Sequence, residues 1–380
     1  MLRITATPWF LSGLWSLALL TACGSSGTGG SGGSGNAPQQ LSSAPRAAGD
    51  VANGCYTLQS VATGGYANLA GTGYRAAPSD TILNAAEAFY LKAATLNRFM
   101  FHATDHKLLT AGTAGAAATG TATPSNNGIW LLVANTPAAA NAADQTFRII
   151  STTTPVRALA VNATGTLITQ ADAAATNAQF KFVPTFKTCT PYPELLNGMV
   201  GEPYKGNGVD QPIIGFADVH THMGMSYEMS YDDSVGPSAG GTQYGQPFHR
   251  FGVAHALGNC EVVHGPNGAR DANNIVATNP GGTHDTQGWP TFVDWPAPQQ
   301  LTHNVMYYKW VERAWMAGLR LMVNHGTNIA ALCRIGQQYS LRPEADCDDM
   351  SVGVKQVRYL SDIQDYVDAQ HGGAGKGWFR

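Results

Sequence analysis

Short stretches in which apolar residues alternate with other types dominate positions 54–190. Cys55-Tyr56-Thr57-Leu58, Ala88-Phe89-Tyr90-Leu91, Phe99-Met100-Phe101, Phe147-Arg148-Ile149-Ile150 and Phe180-Lys181-Phe182-Val183 are the clearest. A period of two is what a strand needs to present one face to a core. Gly, Thr, Asn and Ala fill the turns between them, and no amphipathic helix of about 12 residues stands out there. After Tyr192 the pattern changes. Ile213 to Ala217 predicts an apolar strand, followed by a long stretch from Gly224 to Gln300 rich in Gly, Pro, Asn and aromatics. Leu301, Val305, Tyr308, Val311, Ala314 and Trp315 recur at helical spacing and predict a helix over 300–318, capped by Thr302 and stopped by Gly318. Leu319-Arg320-Leu321-Met322-Val323 predicts a second buried strand. Val354, Val357, Leu360, Ile363 and Val367 predict a second helix over 354–369, and Gly377-Trp378-Phe379-Arg380 looks like the start of a third strand.

Composition narrows the class. The chain has 380 residues, which suggests more than one domain, and 44% hydrophobic residues supply material for real cores. A formal charge of −3 with 12% charged residues excludes a strongly basic nucleic-acid binder and a highly charged disordered chain. No nucleic-acid partner is therefore expected.

The first residues read as an address. A largely apolar run from Trp9 to Leu20 follows Arg3 and is too short to span a bilayer as a mature helix. It ends in Leu20-Thr21-Ala22-Cys23, which resembles the lipobox of bacterial lipoproteins. The resemblance implies a signal peptide over 1–22, cleavage before Cys23 and lipidation of its thiol. Residues 23–50 then form a lipidated Cys and a Gly/Ser-rich linker, a flexible coil with a reach of roughly 30 Å. The chain is thus expected to be exported and anchored to the membrane of the cell envelope, the outer membrane if the cell is Gram-negative.

Six cysteines suit an oxidising compartment. With Cys23 assigned to lipid, Cys55 with Cys189 is one candidate disulfide, and Cys333 with Cys347, which enclose a short polar loop, is another. Cys260 is left over: a buried thiol, a reactive one, or a partner for a cysteine outside this chain. Residues 51–190 form an all-β module that loosely resembles a β-trefoil, with an aromatic strand recurring at Phe99, Phe147 and Phe180. Gln145-Thr146-Phe147 is similar to the Gln-x-Trp/Phe element of ricin-type lectins, which implies a possible glycan ligand. His102 and His106 in this module read as surface polar residues.

The chemistry concentrates later. Nine of the 11 histidines lie between His220 and His371. Ile213-Ile214-Gly215-Phe216-Ala217-Asp218-Val219-His220-Thr221-His222 puts two imidazoles on one side of a strand end, and two ligands on a rigid strand preorganise half a metal site. The motif closely resembles the first-strand His-x-His of the amidohydrolase superfamily and is compatible with the opening motif of the polymerase-and-histidinol-phosphatase phosphoesterases. The resemblance implies that 191–380 is the N-terminal part of a TIM-barrel, metal-dependent hydrolase domain of α/β class. His220 and His222 would be metal ligands, for zinc first, with iron, manganese or nickel as alternatives. Asp218 would support His220, and His325 at the end of the second strand would belong to the catalytic site. His264 and His284 are pocket candidates, with His249, His255 and Glu261 given less weight. Asp346, Asp348 and Asp349 read as a solvated loop rather than a Ca²⁺ site, for they lack the Gly and distal Glu of an EF-hand. Membrane dipeptidases usually carry His-x-Asp here, which argues against dipeptide cleavage.

A barrel of this kind needs roughly 200–250 residues. Residues 213–380 supply only about two and a half βα units, so the sequence reads as the N-terminal part of a longer protein whose later strands would hold the remaining ligands and an Asp general base. The function expected is a surface-anchored hydrolase cleaving an amide or ester bond of a small-molecule or peptide substrate through metal-activated water. The alternatives are a cell-surface lipoprotein that binds carbohydrate or protein through the β module, with a non-catalytic barrel, and a phosphoesterase.

Overall fold

The computed structural model describes residues 42–203, 211–224, 244–271, 282–295, 302–339 and 346–380. Cys23, and with it the residues expected to form a signal peptide and most of those expected to form a linker, lie outside the described residues.

The β module carries twelve strands. Six of them, β1 (Cys55–Ser60), β4 (Phe89–Thr95), β5 (Arg98–His102), β8 (Trp130–Ala134), β9 (Phe147–Ser151) and β12 (Gln179–Pro184), pair antiparallel in a closed ring. Closure removes the free edges that an open sheet would expose. The others form three hairpins: β2 (Asn68–Ala70) with β3 (Gly73–Arg75), β6 (Leu108–Thr110) with β7 (Thr119–Thr121), and β10 (Ala158–Val161) with β11 (Leu167–Gln170). This is a β-trefoil-like arrangement, and its register repeats three times. Tyr56 faces Phe89, Phe99 faces Trp130, and Phe147 faces Phe180. One layer along, Leu58 faces Phe182, Leu91 faces Phe101, and Leu132 faces Ile149. All twelve side chains belong to one buried cluster.

The repeat is therefore real, but its units differ from those read in the sequence. Phe99 and Phe147 are equivalent to Tyr56. Phe180 belongs with Phe89 and Trp130, which open the last strand of each repeat. Gln145 sits just before β9, buried; its side chain accepts from the Ala139 amide and donates to the carbonyls of Asn135 and Thr146. It works as a turn clasp. His102 is buried rather than on the surface, with Nδ1 2.8 Å from the carbonyl of Thr190.

The second half is less regular. β13 (Phe216–Thr221) and β14 (Leu319–Asn324) form a parallel pair. α3 (Tyr308–Met316) leads into β14 through Gly318, whose φ of +114° a side chain would resist. Two short helices, α1 (Val253–Ala256) and α2 (Glu261–His264), and two longer ones, α4 (Ala330–Tyr339) and α5 (Asp349–Gln370), complete it. A second core gathers Tyr244, Phe248, Leu257, Tyr307, Tyr359 and Tyr366. No parallel βα barrel closes among the described residues of this half: the TIM-type expectation is met only by one parallel strand pair, whose Val219 and Leu321 remain exposed.

Four local expectations need correction. The helix expected over 300–318 begins at Tyr308, because Thr302 and Asn304 are drawn into main-chain bonds with Tyr244. Cys333 lies within α4, not in a loop. Asp348 caps α5 by accepting from the Ser351 amide, which starts that helix earlier than 354. Residues 377–380 form no strand, since the Asp368 carboxylate gathers the amides of Gly375 and Gly377 and the Arg380 guanidinium, folding the segment back. The acidic loop is consumed similarly. Asp346 binds Lys355 and Ser351, and these bonds hold its carboxyl at about 2.

α5 lies on β4 and joins the two halves. Lys92, which points outward from the barrel, is only 2% exposed and donates to the Ala93 carbonyl, the Tyr366 hydroxyl and Oε1 of Gln370. Burial pushes the Lys92 ammonium down to about 8, partly opposed by the charge of Glu194, whose carboxylate accepts from the hydroxyls of Tyr307 and Tyr308. An unfolded lysine holds its proton to about 10.4, so between the two values the unfolded chain binds more protons and stability rises with pH. Lys92→Met is expected to flatten that rise between about pH 8 and 9.5, measured as urea unfolding of variant against parent. Equal slopes would mean that Lys92 carries the same charge in both states.

Candidate metal centres

The end of β13 is tied to the end of β14. The His325 amide donates to the Thr221 carbonyl at 2.8 Å, Thr221 Oγ1 donates to the Val323 carbonyl, and the Met223 amide donates to Oδ1 of Asn324 at 2.7 Å. On this clamp His220 and His222 bring their Nε2 atoms to 3.0 Å. Nδ1 of His222 lies 3.1 Å from the carbonyl of His325. A carbonyl only accepts, so Nδ1 carries the proton and Nε2 of a neutral ring is left with its lone pair facing His220. Outer hydrogen bonds of this kind orient metal-ligating histidines. His325 does not point a third nitrogen at the pair: its ring stacks on His220 at 4.3 Å, with Nε2 3.4 Å from the Val219 carbonyl. Asp218 accepts from the His220 amide at 3.2 Å, so it braces the main chain rather than the ring. His220 is exposed and His222 partly so.

A second cluster lies inside the segment that the sequence presents as a long loop. Cys260 opens α2 and His264 ends it, four residues on and so on the same side of one turn. His284 arrives from the following segment, fixed by its amide on the Asn267 carbonyl. His303 sits beside Tyr244 just ahead of α3 and stacks on Trp295 at 4.4 Å and 14°. One ligand atom from each of Cys260, His264, His284 and His303 lies within 4.8 Å of all the others, so the four could hold a metal ion. None is more than 8% exposed. Gly268, at φ +68°, passes so close to His284 that a Cβ would sit 2.5 Å from its ring.

Asp271, fully buried, is the local negative charge. Its Oδ2 lies 3.2 Å from Nε2 of His284 and accepts from Thr302 at 2.6 Å. Burial and then repulsion from His264 and His284 bring His303 down to about 3. Burial, reinforced by Asp271, pushes the Cys260 thiol up to about 12. Burial acts to lower His284 too, but Asp271 overrides it and the net shift is upward.

Both disulfides form as the cysteine spacing suggested, Cys55–Cys189 and Cys333–Cys347, and among the described residues Cys260 is the free thiol. Of the secondary sequence candidates, His264 and His284 enter the buried cluster. His249 and His255 stack on each other instead, with His249 Nδ1 accepting from the Phe251 amide. His303 was hidden in a segment that reads as helix. The signals available were the unmatched Cys260 and the Cys-x-x-x-His spacing. The disulfides fit an oxidising compartment, and no described helix is long and apolar enough to cross a membrane.

No family model matches the chain, and no curated protein does. Among solved structures, the chain is similar to a designed 3-fold symmetric protein, ThreeFoil, at 16% identity and a TM-score of 0.27, over 34% of this chain and 97% of that one.

Proposed function

We propose that the chain contributes the metal-binding end of a hydrolase that cleaves amide or ester bonds, with His220 and His222 as ligands and the β module as an appended body, exported and anchored through Cys23. The observation that carries this reading is the His222 ring, whose Nδ1–H is tied to the His325 carbonyl so that Nε2 faces Nε2 of His220 at 3.0 Å. Two nitrogens on one tetrahedral zinc, each at about 2.05 Å, stand about 3.3 Å apart, so the pair fits an ion after a small movement. A divalent metal bound there would lower the pKa of water toward neutrality and polarise a carbonyl. The chain's own residues do the positioning. His325 holds His220 by stacking and His222 through its carbonyl, and Asp218 braces the main chain at His220. The exposure of the pair leaves room for substrate.

The test is turnover of amide, ester and phosphate-ester panels by protein purified from its host, with and without chelator. Chelation should abolish amide or ester turnover and zinc or manganese restore it. Removing an outer-sphere partner alone commonly weakens such a site by about 10–100-fold, so His220→Ala combined with His222→Ala should cost more than about 100-fold. Full turnover in that double variant would sink the proposal, and activity confined to phosphate esters would redirect it to a phosphoesterase.

A further inference from the structure

We propose that Cys260, His264, His284 and His303 form a closed, four-ligand zinc site with a structural role, separate from the His220–His222 pair and independent of the hydrolase reading. Four observations converge on it. The donors come from three segments far apart in sequence, α2, residues 282–295 and residues 302–304, yet their ligand atoms lie within 4.8 Å of one another. Around a tetrahedral zinc such atoms stand about 3.3–3.6 Å apart, so a contraction of about 1 Å completes the shell.

Next, His303 is 2% exposed and, among the described residues, neither of its ring nitrogens has a hydrogen-bond partner. Buried polar atoms are nearly always satisfied, and leaving one unmet costs about 1–3 kcal/mol. Its ring is nonetheless held flat against Trp295, a precise placement for a side chain with no bond to make. A metal ion supplies that bond.

His284 gives the third observation. Its Nδ1 lies 2.8 Å from the Asp285 carbonyl and must donate. Nε2 of the neutral ring is then a lone pair 3.2 Å from a carboxylate oxygen of Asp271, which also presents lone pairs. Two acceptors facing each other in a dry interior call for positive charge, either a second proton on the ring that makes it an ion pair with Asp271 or a cation beside them. The tie from Nδ1 to a carbonyl also matches the way proteins orient a zinc-ligating imidazole.

The fourth is charge. Zn²⁺, one thiolate from Cys260 and the carboxylate of Asp271 sum to zero, with three neutral imidazoles. A buried site strongly prefers that balance, because net charge in a low-dielectric interior is heavily penalised. Thiolate with imidazoles favours zinc over magnesium, calcium or manganese. Burial of every ligand leaves no open position for water or substrate, the mark of a structural centre rather than a catalytic one. The site explains the odd cysteine: its partner is a metal.

The test is metal content and spectroscopy on protein from its host, with zinc exchanged for cobalt. The expected result is a zinc equivalent that survives in the His220→Ala, His222→Ala double variant and is lost in Cys260→Ser and in His303→Ala. Cobalt at this site should give the intense visible bands of a tetrahedral centre and a near-ultraviolet thiolate charge-transfer band, which Cys260→Ser removes. Should the single variants fail to fold, the unmodified protein still decides. Zinc should protect Cys260 from alkylation in mild urea at least about 10-fold, and the parent's cobalt spectrum should show the thiolate band. Unchanged zinc content in folded Cys260→Ser, a cobalt spectrum without thiolate, or equal alkylation with and without zinc would overturn the proposal. Copper bound at the same residues in protein from the host would overturn the zinc assignment.

Discussion

Trp130→Ala is expected to destabilise the protein by about 3–5 kcal/mol, the range for removing a large aromatic side chain from a core. Trp130 is completely buried in the barrel, where it faces Phe99 across the β5–β8 pairing. Its indole Nε1 also donates to the Leu109 carbonyl at 2.8 Å, tying the barrel to the β6–β7 hairpin. Truncation leaves a cavity bounded by strands that cannot collapse, because the ring of pairings fixes their spacing. It also strands a carbonyl in an apolar interior. Trp130→Phe keeps most of the volume but drops the hydrogen bond, so it should cost less, about 1–3 kcal/mol. The equivalent truncations Phe89→Ala and Phe180→Ala should fall in the same range as Trp130→Ala, for they occupy the same position of the other two repeats. Urea unfolding followed by tryptophan fluorescence and circular dichroism measures all four. A loss of under about 1 kcal/mol for Trp130→Ala would contradict the packing described.

The second large effect belongs to the Cys55–Cys189 bond. It joins the start of β1 to the segment just after β12, the two strands whose pairing closes the barrel. In the chain-entropy treatment a link spanning 134 positions stabilises by about 5 kcal/mol, and one spanning 14 by about 3 kcal/mol. Cys55→Ser combined with Cys189→Ser should therefore lower the unfolding free energy by about 2 kcal/mol more than Cys333→Ser combined with Cys347→Ser. The larger effect should also be accompanied by a steeper denaturant dependence, since the unlinked chain exposes more surface when unfolded. Equal losses for the two pairs would show that local contacts rather than ring size set the stabilisation.

Much of this architecture was legible before any coordinates. Period-two strands with apolar inward positions announced an all-β module, and the paired cysteines announced its clasp. The equivalence of repeats was not legible, because one repeat in three departs from Phe at each place, Tyr56 at the first and Trp130 at the second. Tyr56, Phe99 and Phe147 lie 43 and 48 residues apart, while Phe89, Trp130 and Phe180 lie 41 and 50 apart. Hairpins of unequal length blur any fixed period. The His220–His222 pair was visible because strand geometry converts a spacing of two directly into a shared direction. His303 was not, since its partners are set by tertiary folding of a segment with no regular pattern. Its neighbours Val305 and Tyr308 happen to continue the helical spacing that truly begins only at Tyr308. Helix α4 was missed because Cys333 and Cys347 suggested a loop, although a disulfide constrains only where two Cα atoms meet.

The bond between Cys55 and Cys189 also decides how the protein bears load. Tension applied between any point ahead of Cys55 and any point beyond Cys189 runs through one sulfur–sulfur bond and bypasses the strands between. Those 134 positions hold roughly 450 Å of contour length that stretching cannot release while the bond is oxidised. A protease that nicks one of the three hairpins would likewise leave both pieces covalently joined. The β module then behaves as a rigid ring in the chain, inextensible until it meets a reductant.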